Sequence, residues 1–503
     1  MPTRPRSGKG AYNMFRKCDI IDNCLPTGFA RGETDNGLRR MTIRSIYRIT
    51  TAIFCTAIFV LSAFAQSRPL LQDIQVVRTQ PTPGTSSPTS TPLVKNTGSS
   101  AVVATQPVNA VRTKFPVLAS VTIPGYSGIL IETLDGSVVL ESNSSSLFNP
   151  ASNVKIATSY SVLKTFGPDF RFATNIYTDG SIDKTTGTLT GNIYVSGKDP
   201  IFGFEHAVSI ANELNRLGIR TVTGDLIVTD NFAMNYSGSS LASAKSLLAS
   251  MDAGKRSPAA SRVWLNYVTN SGRAAAIQGN PSVTFTGQAY VQPIPSSLHL
   301  LFTHESATLK NIVKATMCYS NNFLAERLGD MIGGPYAVSR TVQQYAGIAP
   351  NEFSLQTASG LGYNRVTPNA MMKVLRAFRE ELARYKLTFT DIMPVAGLDQ
   401  GTLANRFENN FYVGSVVGKT GTLSQTDAGV SALSGEINAA NGKLLFVIFN
   451  QRGSVPRFRE FQNMFVSLVQ GQFGGPVSLG YSSVPLDQRL ASSRIVYPRN
   501  ASY

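Results

Sequence analysis

The cysteines constrain the fold of this 503-residue chain more than any other feature, because three of the four lie within its first 65 residues. Residues 49–65 form an apolar run that follows a basic stretch and ends in small residues. This pattern predicts a cleaved secretory signal peptide beginning at Met41, with an uncleaved membrane anchor as the alternative. Removing residues 1–65 leaves Cys318 alone. The remaining chain can then form no internal disulfide, and hydrophobic cores must supply its stability.

Changes in composition divide the chain into segments. If translation starts at Met41, residues 1–40 are an upstream extension that precedes the signal peptide, 41–65. The next segment is rich in Pro, Ser and Thr and cannot bury enough apolar surface to order itself, so it predicts a linker. The predicted segments after the signal peptide are a linker (66–114), the first part of a main domain (115–178), an inserted α+β domain (179–301), the second part of the main domain (302–475) and an irregular tail (476–503).

Charge and histidine content exclude several functions. Without residues 1–65 the chain keeps 36 Lys+Arg and 26 Asp+Glu, a net charge of +10. This charge suits solubility and also peripheral association with acidic wall polymers or a membrane. No alternation of basic and aromatic residues points to nucleic acid. The three histidines have no metal-ligand spacing, so we predict neither metal nor cofactor. One of them, His206, lies on a predicted helix and is expected to face solvent.

The pattern Ser-x-x-Lys occurs three times, beginning at Ser152, Ser161 and Ser181. On a helix this spacing places both side chains on one face, where a desolvated lysine can accept the serine proton. About two random matches are expected in a chain of this kind, so a single copy means little. Only Ser152 follows an Asn-Pro helix start, which places it in the first turn of a helix predicted over 150–166. Ser161 lies nine residues further on and on the opposite side of that helix.

Two later motifs strengthen the first copy. Ser320-Asn321-Asn322 is a Ser-x-Asn motif after a predicted helix, and a Lys-Thr-Gly motif starts on a predicted strand at Lys419. The order Ser-x-x-Lys, Ser-x-Asn, Lys-Thr-Gly is that of penicillin-binding proteins and serine β-lactamases.

Residues 120–472 resemble the class C low-molecular-mass penicillin-binding proteins, which are serine-type D-Ala-D-Ala carboxypeptidases that also act as endopeptidases. Segments such as "FNPASNVKIATSYSVLK", "LTGNIYVSGKDP" and "MPVAGLDQGTLANRF" are similar to the family beyond the motifs. The resemblance implies an α+β fold with a β-lactamase/transpeptidase-like catalytic domain, an antiparallel sheet flanked by helices. It also implies an inserted, mostly β domain between the first and second motifs.

The resemblance also implies residue roles. Ser152 would attack the penultimate D-Ala carbonyl to form an acyl-enzyme, with Lys155 as general base. Ser320, assisted by Lys419, would pass a proton to the leaving D-Ala, and Asn322 would hold a substrate amide. Three residues would bind the substrate carboxylate or complete the oxyanion hole: Thr420, Gly421 and Thr422. The implied partners are stem peptides ending in D-Ala-D-Ala and β-lactam antibiotics, and the implied location is the periplasm or the exterior of the cell envelope.

The chain departs from the family pattern at several positions. Asn321 replaces the common Asp of the second motif, and Thr357-Ala358 replace an Asp-Gly pair in a glycine-rich loop. The insert spans only about 120 residues, shorter than in the larger members. Cys318 precedes the second motif, where we expect a small buried side chain rather than a nucleophile.

Two other functions are compatible with the same motifs. A non-catalytic penicillin-recognising sensor or wall-binding module would suit the linker and the basic charge. A serine β-lactamase would use the same acylation step, but the Glu-x-x-Leu-Asn motif of class A enzymes is absent between residues 322 and 419. Turnover of a stem peptide distinguishes a carboxypeptidase from both.

Overall fold

The computed structural model of the protein describes residues 108–273, 277 and 279–499. The predicted signal segment and residues 66–107 of the predicted linker lie outside these ranges. Within them, no helix has both the length and the apolar character needed to cross a membrane. Regular structure begins at Arg112, three residues before the predicted start at Phe115.

The described residues form eighteen strands and twelve helices. The strands are β1 (Arg112–Thr113), β2 (Tyr126–Thr133), β3 (Val138–Ser142), β4 (Ala173–Thr178), β5 (Ser181–Asp183), β6 (Thr188–Thr190), β7 (Ile193–Gly197), β8 (Thr221–Val222), β9 (Leu226–Val228), β10 (Thr284–Phe285), β11 (Ala289–Val291), β12 (His299–Glu305), β13 (Phe353–Ser354), β14 (Arg365–Val366), β15 (Val416–Leu423), β16 (Val430–Ala439), β17 (Gly442–Gln451) and β18 (Arg494–Val496). The helices are α1 (Pro116–Ala119), α2 (Val154–Phe166), α3 (Phe204–Arg216), α4 (Ser240–Met251), α5 (Pro258–Ser271), α6 (Leu309–Tyr319), α7 (Asn322–Asp330), α8 (Gly334–Ala346), α9 (Pro368–Arg384), α10 (Phe389–Ile392), α11 (Val455–Gln472) and α12 (Leu486–Leu490).

A six-stranded antiparallel sheet joins the two parts of the main domain. Its strand order is β1-β3-β2-β17-β16-β15, which leaves β15 at one edge. The β2–β3 hairpin turns at Asp135-Gly136 as predicted, and Gly136 adopts φ +98°, which would strain any residue with a side chain. Since β2 pairs with β17 and β15 follows the second motif, the sheet brings the distant motifs together.

The sheet is covered by helices on both faces. Alternate residues of β17 point into two cores: Val447 and Phe449 pack in the core that includes α2 and α9, whereas Phe446 and Ile448 pack in the core that includes α11. The strand is therefore almost continuously apolar, as expected of a strand that is buried on both faces. The predicted helix with Thr367 as cap is α9, and the Thr367 hydroxyl accepts the backbone N–H of residue 370.

The insert lies between α2 and α6 and contains two sheets, ordered β10-β8-β6-β5 and β11-β9-β7-β4-β12-β18. Strands β7 and β9 are parallel, so the chain must cross between them, and α3 makes that crossover. The apolar face predicted for α3 is buried, including Ile210 and Leu214. Helices supply more of the insert than strands do, so the α+β description is the better one and "mostly β" is wrong in this detail.

Two expectations from sequence differ from the structure. The segment 476–503 is not irregular throughout, because α12 and β18 lie within it and β18 pairs with β12. These elements are too short for a periodic pattern to reveal. His206 does not face solvent: it is 1% exposed, and its Nδ1 accepts the backbone N–H of Gly203 where α3 begins. A helical-face argument does not anticipate a side chain that turns back to cap its own helix.

Candidate active site

Ser152 lies in a 3₁₀ turn, 151–153, that continues directly into α2. The residue before it, Ala151, adopts φ +46°, which is strained for a residue with a side chain. Close packing maintains this conformation. A Cβ atom on Gly360 would lie 2.0 Å from the Ala151 carbonyl oxygen, and one on Gly421 would lie 2.8 Å from the carbonyl oxygen of Pro150. Both glycines are thus needed for the loop and the strand to reach the turn that carries Ser152.

Lys155 lies one turn further along and is fully buried. Its Nζ donates to Ser152 Oγ at 3.0 Å, to Asn322 Oδ1 at 2.7 Å and to the Ser359 carbonyl oxygen at 2.7 Å. The Ser-x-x-Lys spacing therefore does what the sequence predicts and places the amine beside the hydroxyl. The ammonium group has three donors, and these three acceptors fix its position.

The second motif occupies the junction between α6 and α7. Ser320 ends α6 in the left-handed conformation (φ +54°), which turns its hydroxyl toward Lys419. Asn321 caps α7, because its side-chain oxygen accepts the backbone N–H of Leu324 at 3.0 Å. Asn and Asp cap helices about equally well, which explains why Asn321 can replace the common Asp. Asn322 then faces Lys155.

Lys419 lies on β15 and is also fully buried. Its Nζ donates to Ser320 Oγ at 2.8 Å and to the Thr420 carbonyl oxygen at 2.6 Å. Burial lowers the pKa of Lys419 well below its ordinary value, and the positive charge of Lys155 lowers it further. A lysine so placed gives up its proton more readily than an ordinary lysine does.

Strand β15 offers a free backbone edge beside both lysines. On one side it pairs with β16. On the other, Gly418 N–H donates to the Pro394 carbonyl oxygen, so the N–H groups of alternate residues, Thr420 and Thr422, face outward beyond that bond. An extended peptide can add to such an edge.

Two polar residues that the motifs do not identify support this geometry. Glu326 of α7 accepts the backbone N–H groups of Ala358 and Ser359 at 3.1 and 2.9 Å, and thereby holds the carbonyl group that Lys155 binds. Arg459 of α11 donates to Thr422 Oγ1 at 2.9 Å. Sequence reasoning missed them because each acts from a different helix, and only the folded chain brings them to the motifs.

The glycine-rich loop keeps its shape despite the missing Asp-Gly pair. Thr357 Oγ1 accepts the N–H of Gly360 at 3.1 Å and donates to the Leu361 carbonyl oxygen at 2.8 Å. The Ala358 carbonyl oxygen accepts a hydrogen bond from Thr158 of α2. The Thr357 hydroxyl thus makes hydrogen bonds that close the loop on itself, and the loop still presents the Ser359 carbonyl group to Lys155.

A buried ion pair holds the end of α6 that leads into Ser320. Lys314 Nζ lies 2.6 Å from Asp399 Oδ2, and neither side chain is more than 3% exposed. The segment that carries Asp399 also reaches the C-terminal end of α6, where Thr402 N–H donates to the Cys318 carbonyl oxygen. Burial raises the pKa of the Cys318 thiol to about 12, so this cysteine is a packed side chain, as predicted.

Among the described residues, no cluster of three His, Cys, Asp or Glu side chains could hold a metal ion. His206 and His304 lie together within the insert, with ring centroids 4.9 Å apart, and belong to neither lysine site. Ser161 is fully buried and its hydroxyl has no hydrogen-bond partner among the described residues. The second Ser-x-x-Lys copy is therefore inaccessible.

Comparison with known proteins places the chain. A family model described as the D-Ala-D-Ala carboxypeptidase 3 (S13) family matches residues 119–243 and 276–470. A D-alanyl-D-alanine carboxypeptidase of Actinomadura sp. (strain R39) is 24% identical over 425 residues, which cover 65% of this chain and 78% of that protein.

Two solved structures share the fold. A penicillin G-acylated predatory endopeptidase of Bdellovibrio bacteriovorus, in complex with an immunity protein, aligns with a TM-score of 0.63 at 22% identity, over 74% of this chain and 99% of its own. Penicillin-binding protein 4 of Haemophilus influenzae aligns with a TM-score of 0.51 at 20% identity, over 68% of this chain and 96% of its own.

Since the family model matches more than half of its residues, the chain belongs to the D-Ala-D-Ala carboxypeptidase 3 (S13) family. This confirms the family resemblance and the α+β catalytic fold that the three motifs predict. It also confirms the prediction of an enzyme of the D-Ala-D-Ala carboxypeptidase type. The roles of individual site residues and the domain boundaries stay predictions.

Proposed function

We propose that the protein cleaves D-Ala-D-Ala ends of peptidoglycan stem peptides through an acyl-enzyme on Ser152. One observation carries this proposal: two serine–lysine pairs with buried lysines, Ser152 with Lys155 and Ser320 with Lys419, meet beside an edge of β15 that has no strand partner among the described residues. A single pair would suffice to activate a nucleophile. The second pair supplies a separate proton donor for the leaving group, as a two-step acyl transfer requires.

The geometry suggests the following sequence of steps. Lys155, in its neutral amine form, takes the Ser152 proton while Oγ bonds to the penultimate D-Ala carbonyl carbon. The backbone N–H groups of Ser152 and Thr422 stabilise the negative charge on the carbonyl oxygen. When the C–N bond breaks, Ser320 gives its proton to the leaving amine and regains one from Lys419. A water molecule then attacks the ester carbonyl carbon and gives a proton to Lys419. The bond to Ser152 Oγ breaks, and Lys155 returns its proton to that oxygen.

Recognition of the substrate depends on its free carboxylate. Two basic side chains lie at the Thr420–Thr422 end of the site: Lys419 donates to the Thr420 carbonyl oxygen, and Arg459 donates to Thr422 Oγ1. The substrate carboxylate would bind here, at Thr420 and Thr422, while the peptide backbone pairs along β15. An endopeptidase reaction uses the same groups and differs only in the leaving amine.

The two alternative functions make different demands on the site. A β-lactamase needs a carboxylate that activates water against the acyl-enzyme. Glu326 lies behind the Ser359 loop, but both of its oxygens already accept backbone N–H groups. A sensor needs no turnover, so it would not need the second serine–lysine pair as a proton donor for a leaving group.

A labelled penicillin and a stem pentapeptide test the proposal on the same preparation. We expect an adduct at Ser152 by peptide mapping and release of D-Ala from the pentapeptide. Ser152→Ala should abolish both, whereas Ser161→Ala should preserve both because that hydroxyl is buried and unbonded. An adduct without D-Ala release would favour the sensor, and the absence of any adduct would reject the acyl-enzyme.

We also propose that the protein acts outside the cytoplasm, in the periplasm or at the envelope exterior, where its wall substrate lies. The apolar run at 49–65 and the net charge of +10 beyond it support export and peripheral contact with the wall or membrane. Fractionation of the native host tests this: recovery in the cytosolic fraction, with residues 41–65 uncleaved, would contradict it.

A further inference from the structure

The insert contains a cavity of about 250 Å³. None of the residues of the two serine–lysine pairs lines it. It lies among α3, α5 and β18, so the tail that returns to the insert forms one of its walls. Since a water molecule occupies about 30 Å³ in the liquid, this volume corresponds to roughly eight waters. One or two amino-acid residues would fit.

The apolar wall of the cavity is aromatic. Trp264 and Tyr267 lie one turn apart on α5, and their rings stack at 5.8 Å with an interplanar angle of 19°. Both are more than 90% buried, and the Tyr267 hydroxyl is bonded to Ser493. Val208 and Ala491 pack in the same cluster as the two rings, which therefore form a rigid wall of the cavity against which a ligand can pack.

The polar wall carries three arginines and one glutamate. Arg216 pairs with Glu213 at 3.1 Å, and Arg494 pairs with Glu305 of β12 at 2.6 Å. Arg273 has no carboxylate oxygen within 4.0 Å among the described residues; its Nη2 donates to a backbone carbonyl group, that of Ser493. The cavity thus has more positive than negative charge, and one guanidinium group lacks a counter-ion.

We propose that this cavity is a second binding site, which takes a carboxylate-bearing stretch of a wall stem peptide. A guanidinium group binds a carboxylate through two parallel hydrogen bonds, and the aromatic wall accepts the adjoining aliphatic part of the peptide. Such a site would hold a part of the polymer that is not being cut. The choice of polymer rests on the proposed function, whereas the positive charge and the aromatic wall do not.

Trp264 is the only tryptophan in the 503 residues, so its fluorescence reports on this cavity alone. The experiment titrates full-length Ser152→Ala protein, which cannot form an acyl-enzyme, with a stem tetrapeptide. Parallel titrations use the same peptide with all carboxylates amidated, a peptide-free wall disaccharide, and inorganic phosphate. We expect a saturable fluorescence change with the tetrapeptide and binding at least tenfold weaker with the other three probes.

Variants of Arg273 locate the interaction. Arg273→Gln should weaken tetrapeptide binding about tenfold, and Arg273→Lys should retain part of the affinity. Arg220→Gln, an exposed insert arginine outside the cavity, should bind like the parent. Identical affinity in Arg273→Gln and its parent would overturn the proposal, as would equal binding of phosphate or of the amidated peptide. Because binding is measured without turnover, either result leaves the acyl-enzyme on Ser152 to be judged by penicillin labelling.

Discussion

Three separate segments of the chain supply the acceptors of Lys155: its own helix, α7 and the loop 357–362. Of these, the loop depends most on a neighbour, since Glu326 binds the N–H group of Ser359 while Lys155 binds its carbonyl oxygen. At the scale of single residues, the position of Lys155 thus depends on a carboxylate that binds the neighbouring loop.

Replacing Glu326 with Gln tests this dependence. The amide offers one oxygen where the carboxylate offered two, so one loop N–H group loses its acceptor and Ser359 can shift. We expect penicillin acylation to slow about tenfold, since hydrogen bonds to charged groups contribute about 1.5–3 kcal/mol. The measurement is the rate constant of acylation by stopped flow. Glu380→Gln, an exposed glutamate on α9, is the matched control, and an unchanged rate in Glu326→Gln would contradict the positioning role.

A second prediction at this scale concerns the effect of Arg459 on substrate binding. Arg459→Gln removes a cation from the end of the site where the carboxylate is expected, and leaves both serine–lysine pairs in place. KM for the pentapeptide should rise several-fold while kcat changes little. An equal fall in kcat and kcat/KM would instead show that Arg459 acts only in the transition state. Steady-state D-Ala release measures both constants.

At the scale of structural elements, Gly360, Gly421 and a strained turn allow the loop 357–362, the turn 151–153 and β15 to approach one another. Gly360→Ala places Cβ 2.0 Å from a backbone oxygen that cannot move without moving Ser152. We expect this variant to lose acylation altogether. Gly347→Ala is the control: its φ of +62° is also left-handed but nothing lies within 4 Å, so it should acylate normally and lose about 1 kcal/mol of stability.

Helix α6 offers a second comparison, between a buried and an exposed ion pair. Lys314→Met leaves Asp399 buried without its cation and should lower the free energy of unfolding by about 3–5 kcal/mol. Lys310→Met, on the same helix, removes a partner of the largely exposed Asp169 and should lower it by less than 1 kcal/mol. Urea denaturation measures both. Similar losses would mean that the buried pair does not anchor the approach to Ser320.

The sequence predicts these elements unevenly, for physical reasons. The Asn-Pro start, the apolar faces of α3 and α9 and the turn at Gly136 are local, and each was predicted close to its place. The hydrogen bonds of Glu326 to the loop 357–362 and the burial of His206 depend on contacts between distant segments, which hydrophobic periodicity does not encode. Motif order located both serine–lysine pairs because family resemblance carries that long-range information.

At the scale of the whole molecule, the insert contains a buried set of titratable groups. Burial lowers the pKa of His304 to about 3 and raises the pKa values of Asp199 and Glu205 to about 7. Burial and the neighbouring His304 also lower the pKa of His206 well below its ordinary value. Consider a pH between the ordinary pKa values of a carboxyl group and a histidine. There the folded protein has protonated carboxyl groups and neutral histidines, whereas the unfolded chain has ionised carboxylates and protonated histidines.

Opposite pH dependences should therefore offset each other in the parent protein. The lowered pKa values of the histidines favour the folded state above pH 6.5, and this contribution is lost as the pH falls. The raised pKa values of the carboxyl groups favour the folded state below their ordinary pKa values, and this contribution is lost as the pH rises toward about 7. His304→Gln should make the free energy of unfolding fall with rising pH by up to about 1.4 kcal/mol per unit relative to the parent. Asp199→Asn should make it rise by a similar amount.

Urea denaturation at pH 5 to 6.5, followed by the fluorescence of Trp264, measures the two slopes. The absolute loss of stability in each variant does not enter the comparison, because only the change with pH is used. Slopes that shift in the same direction for both variants would contradict the assignment of proton-bearing groups.

The pairing of β18 with β12, and of β2 with β17, has a consequence for the order of events in the life of the chain. Both sheets are completed by strands that are synthesised late. More than 300 residues separate β2 from β17, so β2 cannot pair with β17 until that length of chain has been made. Such long-range pairing is intrinsically slow. A growing chain can therefore form the β2–β3 hairpin early, but the edge of β2 that pairs with β17 stays uncovered until the last strands emerge. The serine–lysine pairs, whose members lie on both sides of the insert, could therefore assemble only after β15 has been synthesised.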